Sequence, residues 1–138
     1  MKEAEKIVNH MMKNDAMSQW LGIEILSIAP GNCSLRMQVA SVCLNGFNIA
    51  HGGVAYSLAD TALAFSSNAH GQMCYSIETS ISHVKTVHAK DVLHARVEEK
   101  SLTKRIGVYW IEIINQNNEL VALFKGVVHR SDKKWAIE

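Results

Sequence analysis

Two stretches of the chain have the spacing of hydrophobic residues that is typical of helices. The first predicts a short amphipathic helix over residues 3–14. Its apolar positions are Ala4, Ile7, Val8, Met11 and Met12. The second stretch, residues 53–68, is apolar around most of its circumference and contains a single charged residue, Asp60. Because a helix at the surface normally has charges on its outer face, we predict that this one is buried, with one polar stripe facing a cleft or another subunit.

Alternation of apolar and polar residues predicts strands in the rest of the chain. It is clearest at residues 33–40, and the turn-forming residues 30–32 separate this strand from one at 24–28. Four more strands are expected at residues 75–84, 92–100, 107–115 and 120–130. Strands in this number beside one long helix indicate an antiparallel sheet packed on that helix, which is an α+β fold.

Composition and charge narrow the class of protein. The 138 residues are 48% hydrophobic and 20% charged, as expected for one folded domain spanning residues 1–138. A net charge of +1 without a run of Lys or Arg argues against nucleic acid or an anionic membrane as the main partner. There is no apolar stretch of about 20 residues and no signal-peptide pattern at the N-terminus. Three cysteines without C-x-x-C spacing indicate free thiols, and hence a cytoplasmic protein.

The sequence His51-Gly52-Gly53 falls where the long helix begins. The first N–H groups of a helix have no partner within it, and the helix dipole favours negative charge there. An ester or thioester oxygen at this end would be stabilised as it becomes an oxyanion, by about 3–4 kcal/mol for each well-placed donor. The alternative is a merely flexible, glycine-rich entry to the helix. His51 itself is more typical of an orienting residue than of a base.

Asp60 is the second candidate for chemistry. An ionised carboxylate is costly to bury without a partner, so its place in an apolar helix suggests a function. The alternative is that it bonds a neighbouring hydroxyl or lies on a wet face. No G-x-S-x-G motif indicates a Ser-His-Asp site, and the histidines show no metal-ligand spacing, so we expect no metal.

The spacing of Gly52 and Asp60 limits how they act together. Eight residues along one helix separate them by about 12 Å. Reacting atoms must come within about 3–3.5 Å. If both groups serve one carbonyl, they therefore come from two subunits, with the site at a two-fold interface.

Several segments together resemble the hotdog-fold thioesterases of the phenylacetate-degradation PaaI type. The resemblance covers roughly residues 14 to 130. It is seen at Asn14–Ala16, Leu21–Ile23, Asn45-Gly46, His51–Gly53, Ser57–Ala62, Asn68, Gly107–Tyr109, Ile111–Ile113, Asn115-Gln116, Val121–Gly126 and His129-Arg130. It implies a curved antiparallel sheet wrapped around one long central helix. It also implies homodimers paired into homotetramers, active sites at the dimer interface, and no cofactor or metal.

The same resemblance assigns roles to individual residues. Asp60 matches the catalytic carboxylate of the family, which acts as general base on water or as nucleophile. The Gly52 N–H would polarise the thioester carbonyl. Asn45 and His51 would shape the site, and Ser76 would bind water through its hydroxyl.

A second group of residues is expected to contact CoA by resemblance. Gly53 would let the substrate approach the main chain closely. Lys104, Arg105 and Gly107 match a basic, glycine-containing loop that would meet the CoA phosphates.

The activity implied by the resemblance is hydrolysis of an acyl-CoA with a small aromatic, phenylacetyl-type group or a medium-length chain. The main alternative is a non-catalytic acyl-CoA-binding or regulatory hotdog protein, which would not need Asp60. A hotdog hydratase or dehydratase would need a histidine-centred acid/base pair, and the sequence contains no such motif.

Overall fold

The computed structural model describes residues 1–138 and contains three α-helices and six strands. The helices are α1 (Glu3–Lys13), α2 (Ala16–Leu21) and α3 (Gly52–Asn68). The strands are β1 (Glu24–Ala29), β2 (Asn32–Gln38), β3 (Gln72–His83), β4 (Val92–Leu102), β5 (Ile106–Ile114) and β6 (Leu120–Lys134). A 3₁₀ turn at Ser41–Cys43 lies between β2 and α3. None of the helices combines the length and the apolar character that a transmembrane span requires.

The six strands form one antiparallel sheet in the order β1-β2-β4-β5-β6-β3. All six strands contact α3, so the sheet wraps around this helix. The predicted α+β hotdog architecture is confirmed. The strands at the two edges are the short β1 and the much longer β3, whose outer edge has no partner within the chain.

The burial of α3 follows from its composition. Leu58, Ala59 and Ala62 are completely buried, and Phe65 is nearly so. Small alanine side chains let the strands approach the helix closely, while each buried Leu or Phe contributes about 1.5–3 kcal/mol of hydrophobic stabilisation. The half-buried polar face contains Ser57, Asp60 and Thr61, as the stripe in the sequence predicted.

Helix α2 was not predicted, because six residues are too few to show a helical period. Its two ends do have recognisable signals. The Asp15 side chain accepts a hydrogen bond from the Ser18 N–H at the N-cap, and Gly22 ends the helix in the left-handed region at φ 73°. The helix brings residues 16–21 against α3.

A β-bulge at Ile77 changes which residues of β3 face the helix. Ser76 pairs with Val128 and Glu78 with Val127, so Ile77 is the extra residue. Before the bulge, Ser76 faces α3, whereas after it the odd-numbered Thr79 does, and its hydroxyl is bonded to that of Tyr56. A strictly alternating strand could not direct both side chains inwards.

Gly126 in β6 lies where a side chain would collide with α3. A Cβ at this position would be 2.6 Å from Leu63 Cδ2 and 3.0 Å from Phe124 Cε1. We therefore expect Gly126→Ala to lower the free energy of unfolding by about 1–3 kcal/mol through overpacking. Urea denaturation at one fixed protein concentration measures this.

Gly46→Ala is the matched control for that substitution. A Cβ at Gly46 meets no atom within 4 Å, and the residue is not in the positive-φ region. Its stability should equal or slightly exceed that of the wild type. Equal stability of the two variants would contradict the packing described for Gly126.

Candidate active site

The N-terminus of α3 presents a free hydrogen-bond donor. His51 is the N-cap, and its Nδ1 accepts a hydrogen bond of 2.8 Å from the Gly53 N–H. The His51 N–H donates to the carbonyl of Cys43 at 2.9 Å, which fixes the entry of the chain into the helix. The Gly52 N–H has no partner within the protein. Because His51 satisfies Gly53, the first turn leaves Gly52 as the donor available to a ligand.

The Gly52 donor opens into a cavity of about 340 Å³ that Asn45 also lines. The Asn45 Oδ1 accepts hydrogen bonds from the N–H groups of Phe47 at 2.9 Å and Ile49 at 3.4 Å. Its Nδ2 group is therefore turned away from these contacts and makes no bond within the protein. Two donors of different origin, one backbone and one amide, thus line the same cavity. Hydrogen-bond donors of this kind can stabilise a developing oxyanion.

His83 is a residue of this cavity that sequence reasoning missed. Its imidazole lies over Gly52, since a Cβ built on Gly52 would be 3.4 Å from His83 Nε2. The sequence offers no signal for this contact, because 31 residues separate the two and only the return of β3 along α3 brings them together.

Asp60 lies in a different, smaller cavity of about 60 Å³ between α3 and the sheet, which it lines with Cys74 and Ser76. Its carboxylate is half-buried and accepts no hydrogen bond from any neighbouring hydroxyl, which removes one of the purely structural explanations for it. Burial raises the pKa of Asp60 above its ordinary value, and the negative charge of Asp15 raises this pKa further. A carboxylate with a raised pKa is a stronger base than an exposed aspartate.

The predicted site residues therefore fall into two groups within one chain. Asn45, His51 and Gly52 lie together at the N-terminus of α3, whereas Asp60 lies two turns further along this helix and shares a cavity with Ser76 of β3. Neither of these two cavities contains both groups. Within one chain, Gly52 and Asp60 are thus kept apart by the rise of the helix.

The predicted CoA-binding loop lies at the end of the sheet opposite Gly52. Lys104 and Arg105 form the exposed turn between β4 and β5, and Arg105 pairs with the exposed Asp132 at 2.7 Å. Gly107 instead lies buried in β5, where a Cβ would approach Val128 Cγ2 to 3.0 Å. Its main chain is inside the sheet, so the structure gives Gly107 a packing role. Of the three predicted residues, only Lys104 and Arg105 have exposed charged side chains.

Gly53 lines a third, mainly apolar cavity of about 330 Å³. Met17 and Trp20 of α2 form one wall of this cavity, and Val42 forms another. His51 and Val54 line both this cavity and the one at Gly52. An apolar group could therefore lie beside a carbonyl bound at Gly52. Sequence reasoning missed the contribution of Trp20 because α2 was not predicted.

No group of three or more His, Cys, Asp or Glu side chains with the placement of metal ligands occurs in the chain. The three cysteines are unpaired, Cys33 and Cys43 being buried and Cys74 half-buried.

The sequence of this chain matches a known protein family and a named bacterial enzyme. The family model of the thioesterase superfamily matches residues 47–122. The acyl-coenzyme A thioesterase PaaI of Escherichia coli (strain K12) is 40% identical over 120 residues, which cover 87% of this chain and 86% of that enzyme.

Solved structures show the same relationship. The E. coli PaaI protein from the phenylacetic acid degradation operon matches with a TM-score of 0.92 and 37% identity, over 96% of each chain. The TT0310 protein of Thermus thermophilus matches with a TM-score of 0.81 and 33% identity, over 85% of this chain and 98% of that one. This chain therefore belongs to the thioesterase superfamily and is a thioester hydrolase with the hotdog fold.

Proposed function

We propose that this protein hydrolyses acyl-CoA thioesters with a small aromatic, phenylacetyl-type or medium-length acyl group, at sites that two copies of the chain build together. The observation that carries the proposal is the unpartnered Gly52 N–H at the start of a buried helix, beside the free amide of Asn45. The likeness to an E. coli enzyme named acyl-coenzyme A thioesterase supports CoA as the thiol half of the substrate.

The reaction uses the two groups of residues in succession. The thioester oxygen binds at the Gly52 N–H and Asn45 Nδ2 of one copy, which polarises the carbonyl. Water attacks the carbonyl carbon while Asp60 of the partner subunit takes its proton. The tetrahedral intermediate then collapses, the C–S bond breaks, and the thiolate of CoA receives the proton. In the alternative route a carboxylate oxygen of Asp60 attacks the carbonyl carbon first, the C–S bond breaks and the CoA thiolate leaves, and water then hydrolyses the mixed anhydride, which releases the acid and restores Asp60.

Ser76 and His51 support these steps. The Ser76 hydroxyl lines the cavity of Asp60, where it can hold the attacking water by a hydrogen bond. His51 accepts from Gly53 and so keeps the first turn of α3 in the geometry that leaves Gly52 free. This is an orienting role, because a nitrogen that accepts this bond is not available as the base for water.

In this proposal, Lys104 and Arg105 supply the positive charge that binds the CoA phosphates. They project from the end of the sheet opposite Gly52, so in a composite site they belong to the copy that supplies Asp60. The partner of Arg105, Asp132, has a side chain 77% exposed. An exposed ion pair of this kind is weak enough for a phosphate to replace the carboxylate.

A homodimer is the smallest unit that satisfies this proposal, and we propose that two dimers pair into a tetramer in the cytoplasm. The free edge of β3 offers twelve residues for pairing with a second copy. Tyr75 and Ile77 on that strand are 56% and 59% exposed, so a second copy paired along this edge would cover apolar surface.

Hydrolysis of a panel of acyl-CoAs tests the proposed function. Because each buried methylene contributes about 0.8 kcal/mol, kcat/KM should rise about fourfold per carbon until the apolar cavity at Trp20 is filled, and then level off or fall. Phenylacetyl-CoA should be among the good substrates. Release of free thiol, followed with a chromogenic disulfide, measures turnover. Tight binding of acyl-CoA without thiol release would overturn the proposal in favour of a binding protein.

A further inference from the structure

Helix α2 is joined to the helix that carries Asp60 by a short chain of partly buried hydrogen bonds. The carboxylate of Asp15 accepts from the Ser18 N–H at 2.9 Å and from the Ser18 hydroxyl at 2.7 Å. Ser18 Oγ lies 2.9 Å from Thr61 Oγ1 on α3. Capping of α2 accounts for the bond from the Ser18 N–H to Asp15, but not for the further link from Ser18 to Thr61 on α3.

The hydrogen bonds that join Thr61, Ser18 and Asp15 run in a defined direction. Ser18 has one hydroxyl proton, and it is donated to the Asp15 carboxylate, which can only accept. The Thr61 hydroxyl must therefore donate to Ser18. Ser18 is only 1% exposed, whereas Asp15 and Thr61 are half-buried, so Ser18 itself is shielded from water. The charge of Asp15 is thus held firmly against the turn of α3 on which Asp60 lies.

We propose that Asp15 is a positioning residue for thioester hydrolysis: it is anchored through Ser18 to Thr61, the residue next to Asp60 on α3, and its charge acts on the Asp60 carboxylate during the reaction. This inference rests on the proposed function, in which Asp60 removes a proton from water or attacks as a nucleophile. It assigns a role in the reaction to a residue that does not touch the substrate.

The electrostatic surroundings of Asp60 support this role. Cys74 of β3 is the titratable group that lines the cavity with Asp60, beside Ser76 and the apolar Val128, and the charge of Asp15 on α2 acts on Asp60 from outside this cavity. No cation pairs with Asp60. The repulsion from Asp15 therefore acts in the same direction as burial, and both raise the pKa of Asp60. Ordinary ion-pairing would have the opposite effect and would weaken the base.

The substitution Asp15→Asn removes the negative charge of residue 15 but preserves its hydrogen bonds. Asparagine is as good an N-cap as aspartate, so its Oδ1 can still accept from the Ser18 N–H. Its Nδ2 can donate to Ser18 Oγ, which leaves the Ser18 hydroxyl to donate to Thr61. The same three residues therefore stay hydrogen-bonded, with the donors and acceptors reversed. Only the negative charge is lost.

The expected result is a change in the pH profile of kcat/KM. In Asp15→Asn the acid limb should move to lower pH. On the plateau kcat should fall about two- to tenfold, because Asp60 is then a weaker base and accelerates the attack of water less. KM and the melting temperature should stay close to those of the wild type. Glu24→Gln is the matched control: it removes an exposed carboxylate of β1 that pairs with Arg36, and it should leave the profile unchanged.

A carboxyl ¹³C NMR titration of Asp60 provides a readout that does not require turnover. The Asp60 resonance should titrate at lower pH in Asp15→Asn than in the wild type, and at the same pH in Glu24→Gln. Asp15→Ser, which also retains an N-cap oxygen, provides the second variant if the asparagine protein folds poorly.

The two proposals fail in different ways. If the wild type hydrolyses acyl-CoA but neither the acid limb nor the Asp60 resonance moves in Asp15→Asn, the role of Asp15 is wrong and the proposed function stands. If the wild type releases no thiol from any acyl-CoA, the proposed function is wrong. If Asp60 then also titrates at the same pH in Asp15→Asn as in the wild type, the proposed effect of the Asp15 charge on Asp60 is wrong as well.

Discussion

Asp60→Asn should lower kcat by about 10²- to 10⁴-fold, the range that a positioned general base contributes. Asparagine has nearly the same shape as aspartate but cannot take a proton from water at neutral pH. Substrate should still bind, since the Gly52 donor and the basic turn at Lys104 and Arg105 are untouched. KM should therefore change much less than kcat. Initial rates of thiol release over a range of acyl-CoA concentrations measure both constants.

The same substitution should make the protein more stable at pH 7. Because the pKa of Asp60 is raised in the folded protein, the folded state binds more protons than the unfolded state between the two pKa values. Its contribution to stability is therefore lost as the pH rises through the folded pKa, and at neutral pH the ionised carboxylate is a net cost. Asparagine removes that cost, so the melting temperature should rise.

Ser76→Ala provides the comparison for this pair of measurements. It removes a hydroxyl from the same cavity without changing the charge, so kcat should fall less than in Asp60→Asn and the melting temperature should not rise in the same way. Near-normal turnover by Asp60→Asn, in a protein that folds and assembles normally, would exclude Asp60 as base or nucleophile.

The parts of the fold that the sequence predicted are those that repeat over many residues. The predicted helix at 53–68 corresponds to α3 at Gly52–Asn68, and the N-terminal helix at 3–14 to α1 at Glu3–Lys13. All six strands are found near their predicted positions. Long elements with a strong period, one of which is almost without charges, leave few alternatives for which face is buried.

The parts that were missed depend on short elements or distant contacts. Six-residue α2 has no period to detect, although Asp15 and Gly22 mark its ends. The bulge at Ile77 changes the inward face of β3 without any marker in the sequence. The place of His83 over Gly52 depends on how β3 returns along α3. Separation of Gly52 from Asp60 was predictable, since it follows from the rise of a single helix.

Gly52→Pro tests the other half of the proposed site. Proline is favoured at the first position of a helix, where its missing N–H would have no partner within the helix. His51 already has φ −59° and ψ 141°, the extended conformation that a following proline requires. The variant should therefore fold while losing the donor to the oxyanion. We expect kcat to fall about 10²- to 10³-fold.

Gly52→Ala is the control for that loss. It keeps the N–H, and its Cβ would lie 3.4 Å from His83 Nε2, a contact that needs only a small shift of the imidazole. Its kcat should stay within about tenfold of the wild type, since the backbone donor to the oxyanion is preserved. If Gly52→Pro and Gly52→Ala lose activity equally, space at Gly52 matters and its N–H does not.

Mixing the two inactive variants tests whether two copies share one site. In a dimer of one Asp60→Asn chain and one Gly52→Pro chain, one of the two sites combines the intact Gly52 of the first with the intact Asp60 of the second. Random pairing of equal amounts makes half of the dimers mixed, so about a quarter of the wild-type activity should return, as the two-fold symmetry of the interface requires. A site within one chain would give no recovery, because every chain has lost one of its two groups. Co-refolding the variants, with each refolded alone as the baseline, makes the measurement, and activity no higher than the sum of the two baselines would rule out the composite site.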